Sequence, residues 1–187
     1  RNEDGVIRNS YSTGSVRGVM EVGGLVGINQ GDVINCYSTA TVRGDSDGIG
    51  GLVGVNQGNI EYSYSSGDVS GHHDVGGLVG RNSVQDDHVG AIKYSYSSGD
   101  VSGSDYLGGL VGQNDSTIIM SEAISDTEMS SSCTFLNLGW DFGGENTNGT
   151  GDVWKIDSST PKLSWESWSG TNDLPSSCEP DLSTMQV

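Results

Sequence analysis

The sequence has little of what builds a deep core or a cross-linked scaffold. Only 33% of its 187 residues are hydrophobic and 7% are aromatic, so any core must be thin. No run approaches the 18 or more apolar residues of a membrane span, which argues against membrane insertion of this segment. Basic residues are scarce: 8 Lys and Arg against 25 Asp and Glu give a formal charge of -17. Such a charge repels phosphate backbones and anionic lipid surfaces and speaks against nucleic-acid binding. It suits a solvated acidic surface, a high-salt setting or cation binding. Three cysteines are too few for a disulfide framework; Cys36 stands inside a repeat, whereas Cys133 and Cys178 lie in non-repetitive sequence and are expected to form a bridge. Neither Met nor an apolar leader opens the chain at Arg1, which reads as a processed or excised piece.

What the chain does have is glycine, 30 residues against three prolines, at recurring places. Aligned on itself, it divides into copies over 5–30, 31–57, 58–89 and 90–115, with Leu25, Leu52, Leu78 and Leu110 separated by 27, 26 and 32 residues. The longer interval comes from a polar insert, Ser83 to His88, read as a loop between copies. A degenerate copy follows over 116–132: Ile118 and Ser121 keep their places, Glu122 replaces a tyrosine, and no Gly-Gly-Leu-Val-Gly appears.

Each copy opens on an apolar residue (Ile7, Val33, Ile60, Ile92) followed four positions later by Tyr11, Tyr37, Tyr64 or Tyr96. A small residue then leads to Val16, Val42, Val69 or Val101. A third run passes through Gly-Gly-Leu-Val-Gly and ends on Asn29, Asn56, Asn82 or Asn114. This pattern predicts three short strands and three corners per copy. A helix is excluded, because each interior glycine would cost about 1 kcal/mol relative to alanine and nothing recurs at helical spacing. One unit cannot bury its apolar face alone, but coils stacked about 4.8 Å apart pair their backbones and set each residue over its counterpart. The asparagines are then expected to form an internal amide ladder. The tyrosines are expected to form a second ladder, buried in the coil or exposed for sugar stacking. Leu25 and Val26 are adjacent and cannot both face inward on a regular strand. Either one row faces out, or the glycines bend the chain and bury both.

After the repeats, residues 133–169 gather all four tryptophans and both phenylalanines and read as a capping element. Residues 170–187 are polar, contain Pro175 and Pro180, and read as a linker or disordered tail. The expected fold is therefore all-β: a parallel β-solenoid, or β-helix, of about five coils over 1–125 with a C-terminal aromatic-rich β cap.

The Gly-Gly-Leu-Val-Gly element with its following Asn, the serine-tyrosine-serine step and the glycine-valine step closely resemble the GLUG motif over residues 5 to 125. That resemblance implies an exported or surface-exposed protein of the adhesin-like kind, or a non-catalytic region of a surface peptidase. The segment ending in Pro161-Lys162-Leu163-Ser164-Trp165 is similar to the ending that closes such arrays.

Catalysis finds little support. Nucleophilic catalysis would require a serine or cysteine beside a histidine, yet the three histidines, His72, His73 and His88, all lie in variable loops of one copy. No carboxylate pair recurs at a fixed strand offset. His72, His73 and Asp74 with Asp86, Asp87 and His88 sit at different corners, so no metal site is expected. Asp45 and Asp47 offer at most a loosely held calcium. Asn114-Asp115-Ser116 and Asn148-Gly149-Thr150 are glycan acceptor patterns; Asn148 is the better candidate, because an Asn114 buried in the ladder could not be modified. The expectation is a non-catalytic structural or adhesive module of an extracellular surface protein, a rigid repeat stalk without cofactor. Its partners would be neighbouring copies of itself or other cell-surface components, with glycans a further candidate. The alternatives are a head-to-tail filament subunit, since the first coil exposes a strand edge, and a carbohydrate-binding or carbohydrate-cleaving β-helix.

Overall fold

A computed structural model describes residues 1–119, 121–123, 154–157 and 160–163. The chain divides into two compact units, Arg1–Ile124 and Ser125–Val187. All regular structure among the described residues is strand.

The first unit is a parallel β-solenoid. Each complete coil holds five short strands rather than the three expected. In the first coil these are Val6–Arg8, Tyr11–Ser12, Ser15–Gly18, Val22–Gly23 and Val26–Asn29. In the second they are Asp32–Ile34, Tyr37–Ser38, Thr41–Gly44, Asp47–Gly50 and Val53–Asn56. The third and fourth coils repeat the set. The fifth contributes Thr117–Ile119 and Glu122–Ala123. Strands of successive coils pair in parallel, giving five sheets that run along the stack. Register is kept across the unequal copy lengths, so that Ile7, Val33, Ile60, Ile92 and Ile118 form one column.

The two additional strands arise from two breaks. The first run breaks at a left-handed corner, where Asn9, Asn35, Tyr62 and Tyr94 have φ of 48, 53, 49 and 49°. The third run breaks inside Gly-Gly-Leu-Val-Gly. The chain there turns so sharply that the strands before and after the bend touch backbone to backbone. A Cβ on Gly50 would lie 2.0 Å from the Val53 carbonyl oxygen, and one on Gly51 would lie 2.1 Å from the Gly77 carbonyl oxygen of the next coil. No side chain larger than hydrogen fits either place. The bend also settles the parity of the following pair. The leucine sits in the bend and the valine starts the next strand, so Leu52, Val53, Leu78 and Val79 are all 0% exposed.

The core is thin and double. One apolar column contains Val33, Ile60, Ile92, Leu52, Leu78 and the adjacent valines, with Cys36 among them. The other contains Val42, Val69, Ile49, Val75 and Val22. The insert of the third copy is not a loop. Val84–Gln85 pairs antiparallel with His88–Val89, with Asp86 at φ 52° in the turn. This hairpin leaves the stack between Asn82 and Gly90 and does not disturb the pairing of Asn82 with Asn114.

In the second unit, Trp154–Asp157 pairs antiparallel with Thr160–Leu163, and Leu163 is buried. Cys133, Cys178 and Asn148, together with most of the expected cap over 133–169 and the tail over 170–187, lie outside the described residues.

Candidate functional site

Stacking turns each repeated polar residue into a column. The longest is the asparagine ladder. Asn2 Nδ2 donates to Asn29 Oδ1 at 2.8 Å, Asn29 to Asn56 at 2.9 Å, Asn56 to Asn82 at 2.9 Å and Asn82 to Asn114 at 2.8 Å. Each of the three middle amides is 0% exposed, and each of Asn29 and Asn56 also donates to a backbone carbonyl two residues on, Gly31 and Gly58, at 2.9 Å. Both amide functions are thereby satisfied in a dry place, as a buried polar group requires. Asn2 was not picked out from the sequence, although its position 27 residues before Asn29 was the available signal. Asn114 is the terminal rung and is exposed, donating onward only to the Ser116 carbonyl at 2.9 Å. Ladder membership and accessibility therefore coexist at Asn114, because no asparagine of a further coil stands over it among the described residues. Beside the ladder, Gln30 Nε2 donates to Gln57 Oε1 at 3.0 Å.

A second polar column holds Cys36, Ser63, Ser95 and Ser121. The backbone N–H of each donates to the hydroxyl of the next coil: Cys36 to Ser63 at 3.1 Å, Ser63 to Ser95 at 3.2 Å and Ser95 to Ser121 at 3.1 Å. Cys36 occupies a serine's place, its thiol directed to the Ile34 carbonyl at 3.3 Å as Ser63 Oγ is to that of Glu61 at 2.8 Å. Burial pushes the Cys36 thiol up, against lowering backbone contacts. The thiol is 0% exposed and behaves as a core group.

The tyrosines Tyr11, Tyr37, Tyr64 and Tyr96 stack at centroid distances of 5.0 to 5.1 Å with interplanar angles of 8° or less. Their burial is graded: Tyr64 and Tyr96 are enclosed, whereas Tyr11 on the first coil is 58% exposed. A shorter stack, Tyr62 on Tyr94 at 5.1 Å, stands at the left-handed corner, flanked by the Lys93–Glu61 ion pair at 2.9 Å. The hydrogen bond to Glu61 is the main cause holding Lys93 above its ordinary range. A bulky aromatic at positive φ is an outlier, and nothing in the linear pattern announced it.

The titratable residues are dispersed. Asp74 is 7% exposed in its side chain, lies 3.4 Å from the Arg81 guanidinium, and is held above the usual carboxylate range chiefly by burial, with Arg81 opposing. His73 Nδ1 is 3.2 Å from Asp105 of the next coil, and His88 and Asp86 sit on the protruding hairpin. Among the described residues no group of three or more His, Cys, Asp or Glu side chains gathers as a metal would need.

A concave feature crosses the coils. A cleft of 590 Å³ lies on the outer face of the sheet that carries Ser15–Gly18 and Thr41–Gly44. Its floor has two outward columns: Ser15, Thr41, Asp68 and Asp100, and beside it Arg17, Arg43, Ser70 and Ser102. Arg43 Nε donates to Ser70 Oγ at 3.2 Å, and Arg17 pairs with Asp45 at 3.5 Å. The Asp100 N–H donates to Asp68 Oδ1 at 3.2 Å. Arginines thus occupy the first two coils of the face and aspartates the next two, on opposite columns.

In-register parallel coils with internal asparagine and tyrosine ladders define the first unit as a repeat β-solenoid. Within it, residues 18–43 and 45–70 match the family pattern of the GLUG motif. A solved structure from Bacteroides ovatus, described as a putative immunoglobulin A1 protease, is similar to this chain at 24% identity with a TM-score of 0.58, over 89% of this chain. The chain spans 60% of that protein's length, and at this identity the likeness shows the fold alone. No curated protein matches.

Proposed function

We propose that this chain is a non-catalytic structural or adhesive module of an extracellular surface protein, in which the solenoid serves as a rigid repeat stalk. The observation that carries this reading is the unbroken column structure. Five sheets and the Asn2-to-Asn114 ladder run through every complete coil, each coil fixing its neighbour's register. A structure whose residues are spent on coil-to-coil repetition transmits load and spacing along one axis. The acidic surface, at a net charge of -17, supports solubility in such a setting. The reading calls for no cofactor and places the chain outside the cell, with cell-surface components or further copies of the repeat as partners.

Two measurements test it. Antibody raised against the chain should label intact, unpermeabilised source cells. The purified chain should show no saturable turnover of peptide, glycoside or ester substrates. Labelling only after permeabilisation would refute the placement, and a turnover abolished by a single substitution would refute the non-catalytic role.

A further inference from the structure

We infer that the cleft over residues 15–17, 41–43, 68–70 and 100–102 binds an extended oligosaccharide that carries one acidic sugar at its end and neutral sugars behind it. The inference deepens the adhesive reading above and rests on it, since it names the chemistry to which the stalk would adhere.

The argument starts from charge. The whole chain has 8 basic residues against 25 acidic ones, yet Arg17 and Arg43 stand one above the other on this single face. Arg43 uses only Nε internally, toward Ser70 at 3.2 Å, which leaves its two terminal nitrogens directed to no partner among the described residues. A guanidinium fork matches a carboxylate in two parallel hydrogen bonds. The next two coils reverse the chemistry: Asp68 and Asp100 are exposed acceptors, suited to pairs of sugar hydroxyls. Ser15, Thr41, Ser70 and Ser102 add donors and acceptors between them.

This order of charges selects among ligands. A polyuronate would set carboxylates against Asp68 and Asp100. A wholly neutral glycan would leave Arg43 without a counter-charge, since of the two arginines only Arg17 has an internal one, Asp45 at 3.5 Å. A single acidic sugar followed by neutral ones satisfies both halves.

Spacing selects a sugar chain over a peptide. Successive coils repeat at the strand spacing of about 4.8 Å, and the stacked tyrosine rings show the same rise at 5.0 to 5.1 Å. An extended peptide presents same-face side chains about every 6.7 Å, so it would lose register with the coils within two residues. A β-1,4-linked pyranose chain, such as the neutral pair of lactose, advances by close to one ring per coil and keeps it.

The test is a titration of the full 187-residue chain, followed by isotope-edited NMR and calorimetry, with 3′-sialyllactose as probe and lactose as its neutral counterpart. The expected result is saturable binding of 3′-sialyllactose, with lactose weaker by about tenfold or more, the cost of one charge-assisted contact. The R17A/R43A double variant should lose the discrimination between the two sugars, R43K should restore part of it, and D68N/D100N should weaken both. All four positions are outward-facing, and an unchanged unfolding midpoint verifies that each variant is folded. Equal affinity for the two sugars, undiminished binding by R17A/R43A, or tighter binding of an extended peptide of alternating Glu and Lys would overturn the assignment while leaving the stalk reading intact. Release of lactose from the probe during the titration would instead overturn the non-catalytic reading.

Discussion

Replacing Asn56 by alanine interrupts the asparagine ladder at its centre, and the structure sets the size of the effect. The Asn82 Oδ1 acceptor, 0% exposed, loses the donor at 2.9 Å that satisfies it. Leaving a buried acceptor unpaired costs about 1–3 kcal/mol. Two further bonds vanish, from Asn29 Nδ2 and to the Gly58 carbonyl, both at 2.9 Å. Their partners keep other contacts: Asn29 Nδ2 still reaches the Gly31 carbonyl at 2.9 Å, and the Gly58 carbonyl still accepts from the Ala91 N–H at 2.8 Å. Each of these losses is therefore worth about 0.5–1.5 kcal/mol, and the whole substitution about 2–6 kcal/mol.

The control is Asn114→Ala at the exposed terminal rung, where water replaces the lost contacts and the cost is about 1 kcal/mol. Urea unfolding monitored by circular dichroism compares the two. Amide exchange at the Asn29, Asn56 and Asn82 coils reports whether the break separates the first two coils from the rest, as nearest-neighbour coupling in a stack requires. Equal losses for Asn56→Ala and Asn114→Ala would refute the reasoning, because burial would then not decide the value of a rung.

Three other substitutions probe separate features. Gly51→Ala places a methyl 2.1 Å from the Gly77 carbonyl and the Ser65 hydroxyl; unable to displace backbone, it should cost 3 kcal/mol or more, on the order of severe overpacking, and a near-neutral unfolding midpoint would contradict the close approach of the strands. Cys36→Ser restores the residue type of its column and should change stability by less than about 1 kcal/mol, while native Cys36 should resist Ellman's reagent until the chain unfolds. Asp74 has a folded-state affinity for protons above its unfolded one, chiefly through burial. Its stabilising contribution is thus present below the unfolded value of about 3.9 and lost as pH rises through the folded value. Asp74→Asn should accordingly gain stability relative to wild type between acid and neutral pH in paired urea titrations, and a relative loss over that interval would show that the Arg81 contact outweighs burial.

The solenoid was legible in the sequence because stacking needs the same residue at the same place in every coil. The 27- and 26-residue spacings of Leu25, Leu52 and Leu78 are that requirement written linearly. The asparagine and tyrosine columns followed from the same logic, and the hydrogen bonds and ring stacks join the residues that the alignment brought together. Asn2 stands before the first copy over 5–30, so only its 27-residue distance from Asn29 marks it as a rung. The cleft escaped notice. Its arginines and aspartates change identity between coils two and three, so they fall at variable positions in an alignment and become neighbours only across coils.

By itself the sequence determined the period, the composition of each column and the places where only glycine can stand, for these are properties of a repeat, and a repeat stacks on itself whatever its exact path. The tertiary structure alone decided how the chain turns within one coil. Five strands replace the three expected, Tyr62, Tyr94 and Tyr106 are held at positive φ, and both Leu52 and Val53 face inward. The reason is that strand parity and corner geometry depend on how closely two backbones approach. That distance is set at the glycine bend by contacts such as Gly50 against Val53 and Gly51 against Gly77, which join residues of different strands and different coils and leave no trace in local residue order.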